Sequence, residues 1–579
     1  MTATTATGEA KGHFTLVLHS HLPWVLNHGT WPHGTSWLNE AAAETYVPLI
    51  RELHLLVDDG YTPRVTLGVT PVLSEMLVHP KFVEGFKAYL EEKVQAAIRD
   101  RDQFKSENFE VRAKTADFWV EFYERVRDHF TGRCGESIPG ALRELQDRGV
   151  VEVITCAATH GYFPLLTRDS SIDAQIKAAI ASYERIYGRK PAGFWLPECA
   201  YRPGYEWKNP FAPEEPARYR RGVEWYLAAN GLKYFFVDTH LTMGGLAQGV
   251  YAARFALLKE LWKQFSDSYE PVEPKEGRTP YEPYLIHSRE PISPVAFFTR
   301  DERTGILVWS GEHGYPGDGT YLDFHKKHFP GGLRYWKVTA AKLDLGAKME
   351  YYLDDVPPRL DENASHFVNT VKDILREHRE QRKRPGIVVA MYDTELFGHW
   401  WFEGPWWISR VLRWLEDDPD VELTTAGRFL EQYPPVEQVS LPEGSWGQGG
   451  GHWVWLNSWT TWTWERVAEC ESEMEELASR HAASSDPTMV RLLRQAAREL
   501  LLLQASDWQF LMTTWSARDY AEARVATHYE NFKRLAEAAR ALAARGSLGG
   551  GELELLERLE RDDGPFPGVD PAWWRPVEY

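Results

Sequence analysis

Seven short apolar runs, each ending abruptly in polar residues, constrain the fold of this chain more than any other feature. They are FTLVLHSH from Phe14, RVTLGVT from Arg64, VVEVITCAATHG from Val150, GFWLPE from Gly193, KYFFVDTH from Lys233, VAFFTRD from Val295 and GIVVAMYD from Gly386. Each is rich in β-branched and aromatic residues, and the stretches between them carry helical periodicity. A strand that is apolar on both faces must be covered on both, which is the condition of a parallel sheet flanked by helices. Polar residues gathered at the C-terminal ends of such strands are where a barrel places its chemistry. The pattern predicts an α/β fold with a β/α barrel over residues 1–433.

The segment from about His79 to Asp147 is charged, aromatic and helical in pattern, and too long for an ordinary crossover, so it reads as a helical insertion. Two glycine-bearing stretches, LTMGGLAQG from Leu241 and GEHGYPGDGTYLDFH from Gly311, are candidate lids. After about Pro434 the strand-like runs stop. A Gly/Trp segment, GSWGQGGGHWVWLN from Gly444, leads into helical periodicity, which predicts a helical C-terminal domain over 434–547 and a Pro/Trp-rich tail over 548–579.

Lys and Arg number 65 against 84 Asp and Glu, a net charge of −19, which excludes a generic nucleic-acid binder because phosphate contacts need an excess of cations. No run of about 18 apolar residues and no N-terminal leader pattern is present, so neither a membrane span nor export is expected, and the predicted location is the cytoplasm. Cys134, Cys156, Cys199 and Cys470 are dispersed without a C-x-x-C pair, which fits reduced thiols rather than a zinc knuckle or a disulfide framework. The 25 tryptophans matter where they cluster beside glycines and acids, because indole rings there suit the apolar faces and hydroxyl edges of sugars.

Glu198 follows GFWLP directly, with Phe194, Trp195 and Leu196 before it and Tyr201 after. A glutamate at such a point ordinarily complements a helix start, but apolar surroundings of this kind also tune a carboxyl group for chemistry. Asp393 closes the last apolar run in YDTELFGHWWFEGPWW, with Glu395, His399, Trp400, Trp401 and Glu403 crowding the turn. Two strand-end carboxylates in one barrel can face each other across a glycosidic bond. HSHLPW supplies His19 and His21. An H-x-H at the end of a first strand also opens the metal site of metal-dependent barrel hydrolases, which His160, Asp238, His240 and Asp393 could complete. The spacing of a dedicated metal motif is lacking, and the nearby Trp24 and Trp31 favour a sugar subsite; the two histidines could equally shape a pocket floor by hydrogen bonding. Trp446, Trp453, Trp455 and Trp459 lie in or just after the Gly/Trp segment, where alternation argues for core packing and the glycines argue for close approach to a ligand. Asp507, in ASDWQFL, sits on a predicted helix, where a solvated acid is the default.

In order along the chain, HSHLPW, VVEVITCAATHGYFPL, GFWLPECAY, YDTELFGHWW and ASDWQFL resemble the five motifs of glycoside hydrolase family 57. WLPECAYRP together with YDTELFGHWW resembles its 1,4-α-glucan branching enzymes in particular. The resemblance implies an incomplete (β/α)7 barrel with a helical C-terminal region that completes the cleft. It implies a retaining transglycosylation on an α-glucan such as amylose or glycogen, cleaving α-1,4 bonds and forming α-1,6 branches, with Glu198 as nucleophile and Asp393 as general acid/base. By the same resemblance His19, His21, Trp24 and His160 line the donor subsite, Arg300, Trp309 and Gly317 lie around it, and Trp446, Trp455 and Asp507 hold glucan on the C-terminal side. Neither a cofactor nor a metal is expected. Some branching members carry a tyrosine at the tip of the loop after the VDTH-like strand, whereas the tip here reads GGLAQG with Tyr251 just beyond. That departure keeps a 4-α-glucanotransferase or α-amylase of the same family as the nearest alternative, ahead of a metal-dependent barrel hydrolase.

Overall fold

Every one of the seven apolar runs forms a strand, and the seven are parallel. The structure is a computed structural model that describes residues 12–245, 247, 256–266, 271–340 and 342–577. The strands are β1 (Gly12–Ser20), β2 (Val65–Val69), β3 (Val151–Cys156), β4 (Gly193–Trp195), β5 (Tyr234–Val237), β6 (Ala296–Thr299) and β7 (Ile387–Asp393). Their order in the sheet is β7-β1-β2-β3-β4-β5-β6. All nine residues of β1 are buried, which is why the run is apolar continuously rather than at alternate positions. Of the polar groups that enter the core, Thr15 meets the Thr66 hydroxyl at 3.3 Å.

The barrel is incomplete. Among the described residues no ladder joins β6 to β7. Single bonds cross the seam instead: the Asp301 N–H donates to the Val389 carbonyl (3.0 Å), the Trp309 indole to the Met391 carbonyl (3.1 Å) and the Tyr392 hydroxyl to the Thr304 carbonyl (2.9 Å). The free edge of β6 is covered by the antiparallel strand Tyr284–Ile286, itself paired with Gln438–Val439. Neither of these short strands was among the runs read from the sequence.

Between β2 and β3 stand two long helices, α1 (Pro80–Ser106) and α2 (Glu110–Thr131), followed by Ile138–Asp147. Pro80 occupies the first turn of α1, where its missing N–H costs nothing, and the His79 ring accepts from the Lys81 N–H as a cap. Phe82, Phe86 and Phe130 close the hairpin, the last two edge to face at 4.9 Å. After the barrel come α3 (Thr461–His481), α4 (Pro487–Leu503), α5 (Asp507–Thr514) and α6 (Arg518–Arg545). The stretch expected to be a Pro/Trp-rich tail holds a further helix, α7 (Gly550–Asp562). Its Leu555, Leu556 and Leu559 are buried at helical spacing, and Gly546 ends α6 in the left-handed region. Beyond α7 the turn Pro571–Trp574 lies against α3 and the helix Asp169–Tyr187, with Trp574 fully buried. Among the described residues no helix is long and apolar enough to cross a membrane. Of the glycine loop after β5, Leu246, Gln248 and Gly249, together with Tyr251, lie outside the described residues.

The C-terminal helices are fastened to the first barrel loop through a buried polar cluster. Arg524 donates to the Trp24 carbonyl (2.6 Å) and meets His528 (2.8 Å), which in turn bonds Glu499 (2.7 Å). His28 bonds Asp563 (2.6 Å), and the Asn27 amide donates to the Asp562 carbonyl (2.9 Å). Removing one member leaves the others desolvated and unpaired, which costs more than the bond itself contributes. Replacing Arg524 by Met is therefore expected to destabilise the chain by about 3 kcal/mol, read as a lowered thermal unfolding midpoint; an unchanged midpoint would show that the cluster does not hold the helices in place.

Candidate functional site

At or just beyond the C-terminal ends of β1, β3, β4, β5, β6 and β7 stand His19, His160, Glu198, Asp238, Arg300 and Asp393. At β4, Pro197 ends the strand because it has no N–H to give to a ladder. The chain then turns sharply: Glu198 (φ 58°) and Cys199 (φ 49°) both lie in the left-handed region, and the Cys199 N–H closes the turn on the Leu196 carbonyl at 2.8 Å. Non-glycine residues at such angles are uncommon and concentrate where a side chain has to be aimed. The turn presents the Glu198 side chain, only 8% exposed, at the top of the barrel.

The Gly/Trp segment lies across this turn. Tyr201 and Gly444 exchange backbone bonds at 2.8 and 3.1 Å, the Trp446 N–H donates to the Glu198 carbonyl (3.0 Å), and the Trp446 indole N–H donates to Glu198 Oε2 (2.7 Å). The close approach explains the glycines. A side chain at Gly444 would meet the Gly450 carbonyl at 2.9 Å, and one at Gly450, whose φ is +73°, would meet the His240 ring at 2.5 Å. Trp446 is held edge-on between Trp195 and Trp309 at centroid distances of 5.3 and 5.5 Å.

Asp393 ends β7, and the sheet register sets it directly beside His19 of β1. The His19 ring stacks on Trp195 at 4.6 Å, and its Nε2 lies 3.1 Å from Nε2 of His160, whose Nδ1 bonds the Ser506 hydroxyl at 2.9 Å. Burial lowers the pKa of both His19 and His160 well below the ordinary histidine value, and the neighbouring rings push in the same direction, so the pair is neutral. His21 stacks on His160 at 4.1 Å and bonds Asp507 through Nε2 at 2.8 Å. Asp507 is thus no solvated acid: it opens α5 and faces the histidines.

At the end of β5, Asp238 receives Arg300 at 2.8 and 2.6 Å and bonds His240 at 3.2 Å. Burial alone would raise its pKa, but the Arg300 guanidinium and the His240 ring outweigh burial and hold it at about 2. Burial lifts the Cys199 thiol far up, and the carboxylates of Asp238, Glu198 and Asp393 push it further. The ligands considered for a metal divide accordingly. His21, His160 and Asp507 lie within 4.8 Å of one another and are the trio here that could hold a cation, as are His19, Cys156 and His160. Among the described residues no such trio includes Asp238, His240 or Asp393, so the set read from the sequence does not form one chelate.

Trp24, Trp455 and Gly317 make contacts within the fold. Trp24 is buried against His79, and its indole faces the Asp562 carbonyl at 3.4 Å, so its contacts run to the C-terminal helices. Trp455 is fully buried and stacks on Tyr162 at 4.5 Å, whose hydroxyl continues to His452 (2.9 Å) and Glu443 (2.8 Å). Gly317 folds its loop back on itself, since a side chain there would meet the Gly311 carbonyl at 2.2 Å. Sequence reasoning missed the role of Glu395 and its partner Tyr46. Glu395 accepts from the Tyr46 hydroxyl (2.5 Å) and the His21 N–H (3.2 Å). Tyr46 ends a π-helical turn, Ala42–Tyr46, a distortion that often marks a working site, but no motif surrounds it in the sequence.

Burial raises the pKa of Glu395 from its ordinary 4.5 to about 7, against the pull of Tyr46 and His21. Because the folded value lies above the unfolded one, the native state binds the extra proton and stability falls as pH rises from about 4.5 to about 7. Glu395→Gln, which cannot ionise, is expected to gain stability relative to the unsubstituted chain across that window, by at most about 3 kcal/mol. Unfolding midpoints at pH 5 and pH 8 check this; a pH-independent difference between the two proteins would show that Glu395 ionises normally in the fold.

Comparison with known proteins places this geometry. The family model for glycosyl hydrolase family 57 matches residues 15–442, and that for the 1,4-alpha-glucan branching enzyme C-terminal region matches residues 466–574. The chain is 43% identical to the 1,4-alpha-glucan branching enzyme of Thermococcus kodakarensis, over 96% of its own length and 78% of that protein. The crystal structure of that enzyme with glucose superimposes with a TM-score of 0.88, covering 98% and 97% of the two chains. The branching enzyme of Pyrococcus horikoshii, 40% identical, follows with a TM-score of 0.86 over 98% and 97%. The α-amylase AmyC of Thermotoga maritima, 27% identical, gives 0.80 over 98% and 100%. The chain belongs to glycosyl hydrolase family 57.

Proposed function

We propose that this chain is a 1,4-α-glucan branching enzyme, in which Glu198 is the nucleophile and Asp393 the general acid/base of a retaining transglycosylation. The observation that carries the reading is the Glu198 turn: a carboxyl group aimed by left-handed backbone, hydrogen-bonded at Oε2 by Trp446 and standing at the same strand-end surface as Asp393. The bond to Oε2 orients the group for attack on an anomeric carbon through Oε1. Asp393, protonated, donates to the departing glycosidic oxygen while the glycosyl-enzyme bond forms; it then takes the proton of a glucan 6-hydroxyl as that oxygen attacks. His19, His21 and His160 offer ring nitrogens and Asp507 its carboxyl group to the hydroxyls of the bound sugar, and the Asp238–Arg300 pair fixes the adjoining wall. Trp309, Gly317 and Trp455 act as supports, Trp309 behind Trp446 and Trp455 beneath Tyr162.

A second reading, hydrolysis, is favoured by the likeness to the Thermotoga maritima α-amylase. Water and a sugar hydroxyl compete for the same intermediate, and exclusion of water from the cleft decides between them. The match of residues 466–574 to the branching-enzyme C-terminal family favours transfer.

Incubating the chain with amylose, with and without EDTA, and scoring α-1,6 linkages by proton NMR beside released reducing ends tests this. New linkages that survive EDTA and are absent with Glu198→Gln are expected. Reducing ends without linkages would establish the hydrolytic reading, and sensitivity to EDTA would remove the metal-independent mechanism. A hydrogen bond to a charged group contributes about 1.5–3 kcal/mol, so Trp446→Phe is expected to lower kcat by roughly 10- to 150-fold with little change in KM. A change confined to KM would mean that Trp446 holds glucan rather than the nucleophile.

A further inference from the structure

Helix α5 ends in a way that physical economy does not explain. Its C-terminal cap, Trp515, takes the left-handed conformation (φ 57°, ψ 19°), a position that glycine fills without steric cost and that a bulky side chain fills badly. Helices elsewhere in the chain that end this way use Gly188, Gly546 and Lys383. The Trp515 ring is 56% exposed, so burial does not compensate for the strained backbone.

The ring is nevertheless held in a built frame. Trp459 meets it edge-on at 5.7 Å, and the Arg518 guanidinium lies 5.0 Å from the Trp515 ring and 5.8 Å from the Trp459 ring, itself paired with Glu522 at 2.7 Å. Asn457 ties the two indole-bearing segments together: its amide donates to the Thr513 hydroxyl (2.9 Å), and its carbonyl accepts from the Trp459 N–H (3.0 Å). Both segments start in the reaction centre. The one that reaches Trp459 carries Trp446, which bonds Glu198; the one that reaches Trp515 begins with Asp507, which bonds His21. Eight helical residues at about 1.5 Å each put the platform about 12 Å along α5 from Asp507.

We propose that Trp515, Trp459 and Arg518 form a secondary binding platform for an α-glucan chain, outside the reaction centre and joined to it by α5; this rests on the reading of the chain as an α-glucan enzyme. Two ring faces beside a guanidinium match the apolar face and hydroxyl edge of a pyranose. Two indoles bury at most about 500 Å², short of the roughly 800 Å² per partner of a stable protein interface, so a narrow polymer fits the platform better than a second protein.

Native electrophoresis in gels with and without glycogen tests this, using the unsubstituted chain, Glu198→Gln, Trp515→Gly and Trp459→Ala, with thermal unfolding midpoints alongside. Trp515→Gly is expected to weaken glycogen retardation at least threefold while its midpoint stays level or rises, since glycine suits the left-handed position; Trp459→Ala is expected to weaken it less. Retardation equal to that of the unsubstituted chain in both variants, or a loss of binding that only follows a lowered midpoint, would overturn the platform. Glu198→Gln separates the two levels: if it is retarded like the unsubstituted chain, the glucan reading stands whatever Trp515→Gly does. If neither is retarded and amylose is left unchanged, the glucan reading fails and the platform with it.

Discussion

A carboxyl group in an apolar pocket must be hydrogen-bonded or it distorts everything around it, and at Glu198 the donor arrives from 248 residues away in the chain. Much of the upper face of the molecule follows from delivering that one indole N–H. The Gly/Trp segment has to pass within backbone contact of the Glu198 turn, which is why Gly444 and Gly450 carry no side chains. The indole has to be clamped, which Trp195 and Trp309 do from two sides. The segment also has to be anchored beyond the site, which Asn457 and the start of α3 provide. The Glu198 turn is therefore a meeting of the barrel with the segment that leads into the C-terminal helices.

The same surface separates its acids by environment. Asp238, embraced by Arg300, is held at about 2, while Glu395, buried with a tyrosine hydroxyl and a backbone N–H, is pushed to about 7. His19 and His160 are neutral because burial, and with it the neighbouring His21 ring, disfavours charge. The result is a floor with neutral hydrogen-bonding groups on the β1 and β3 side and a fixed ion pair on the β5 and β6 side. Environments that drive like groups apart are the means by which one pocket keeps a proton in one place and an anion in another.

The strands were legible because burial on both faces writes itself as uninterrupted apolar sequence, and Glu198 and Asp393 were legible because they break that pattern at its end. Asp507 needed the resemblance, since on a helix its neighbours do not distinguish it from a solvated acid. Tyr46 could not be found: its contact with Glu395 joins residues 349 apart, and neither end carries a local signature. The short strands Tyr284–Ile286 and Gln438–Val439 were hidden by their length, and α7 by the glycines in front of it. Composition says how many indoles there are but not which faces are covered: Trp455 is wholly buried on Tyr162, while Trp515, which no motif singled out, is largely exposed.

Family membership narrows the chemistry without choosing the acceptor. An α-amylase with the same architecture superimposes over 98% of this chain, so the fold by itself does not set the balance between water and a sugar hydroxyl. That balance depends on how long the covalent intermediate waits in a dry cleft with an acceptor chain held nearby. Buried indoles around Trp446 would keep that cleft dry, and groups at a distance from the reacting atoms would retain a chain. Helix α5 links two environments, with Asp507 at the histidines at its start and its C-cap Trp515 at the surface, where left-handed backbone is accepted for an exposed ring. Binding energy collected there would raise the local concentration of acceptor without touching the carboxylates, which is the form of help that a transferase needs and a hydrolase does not.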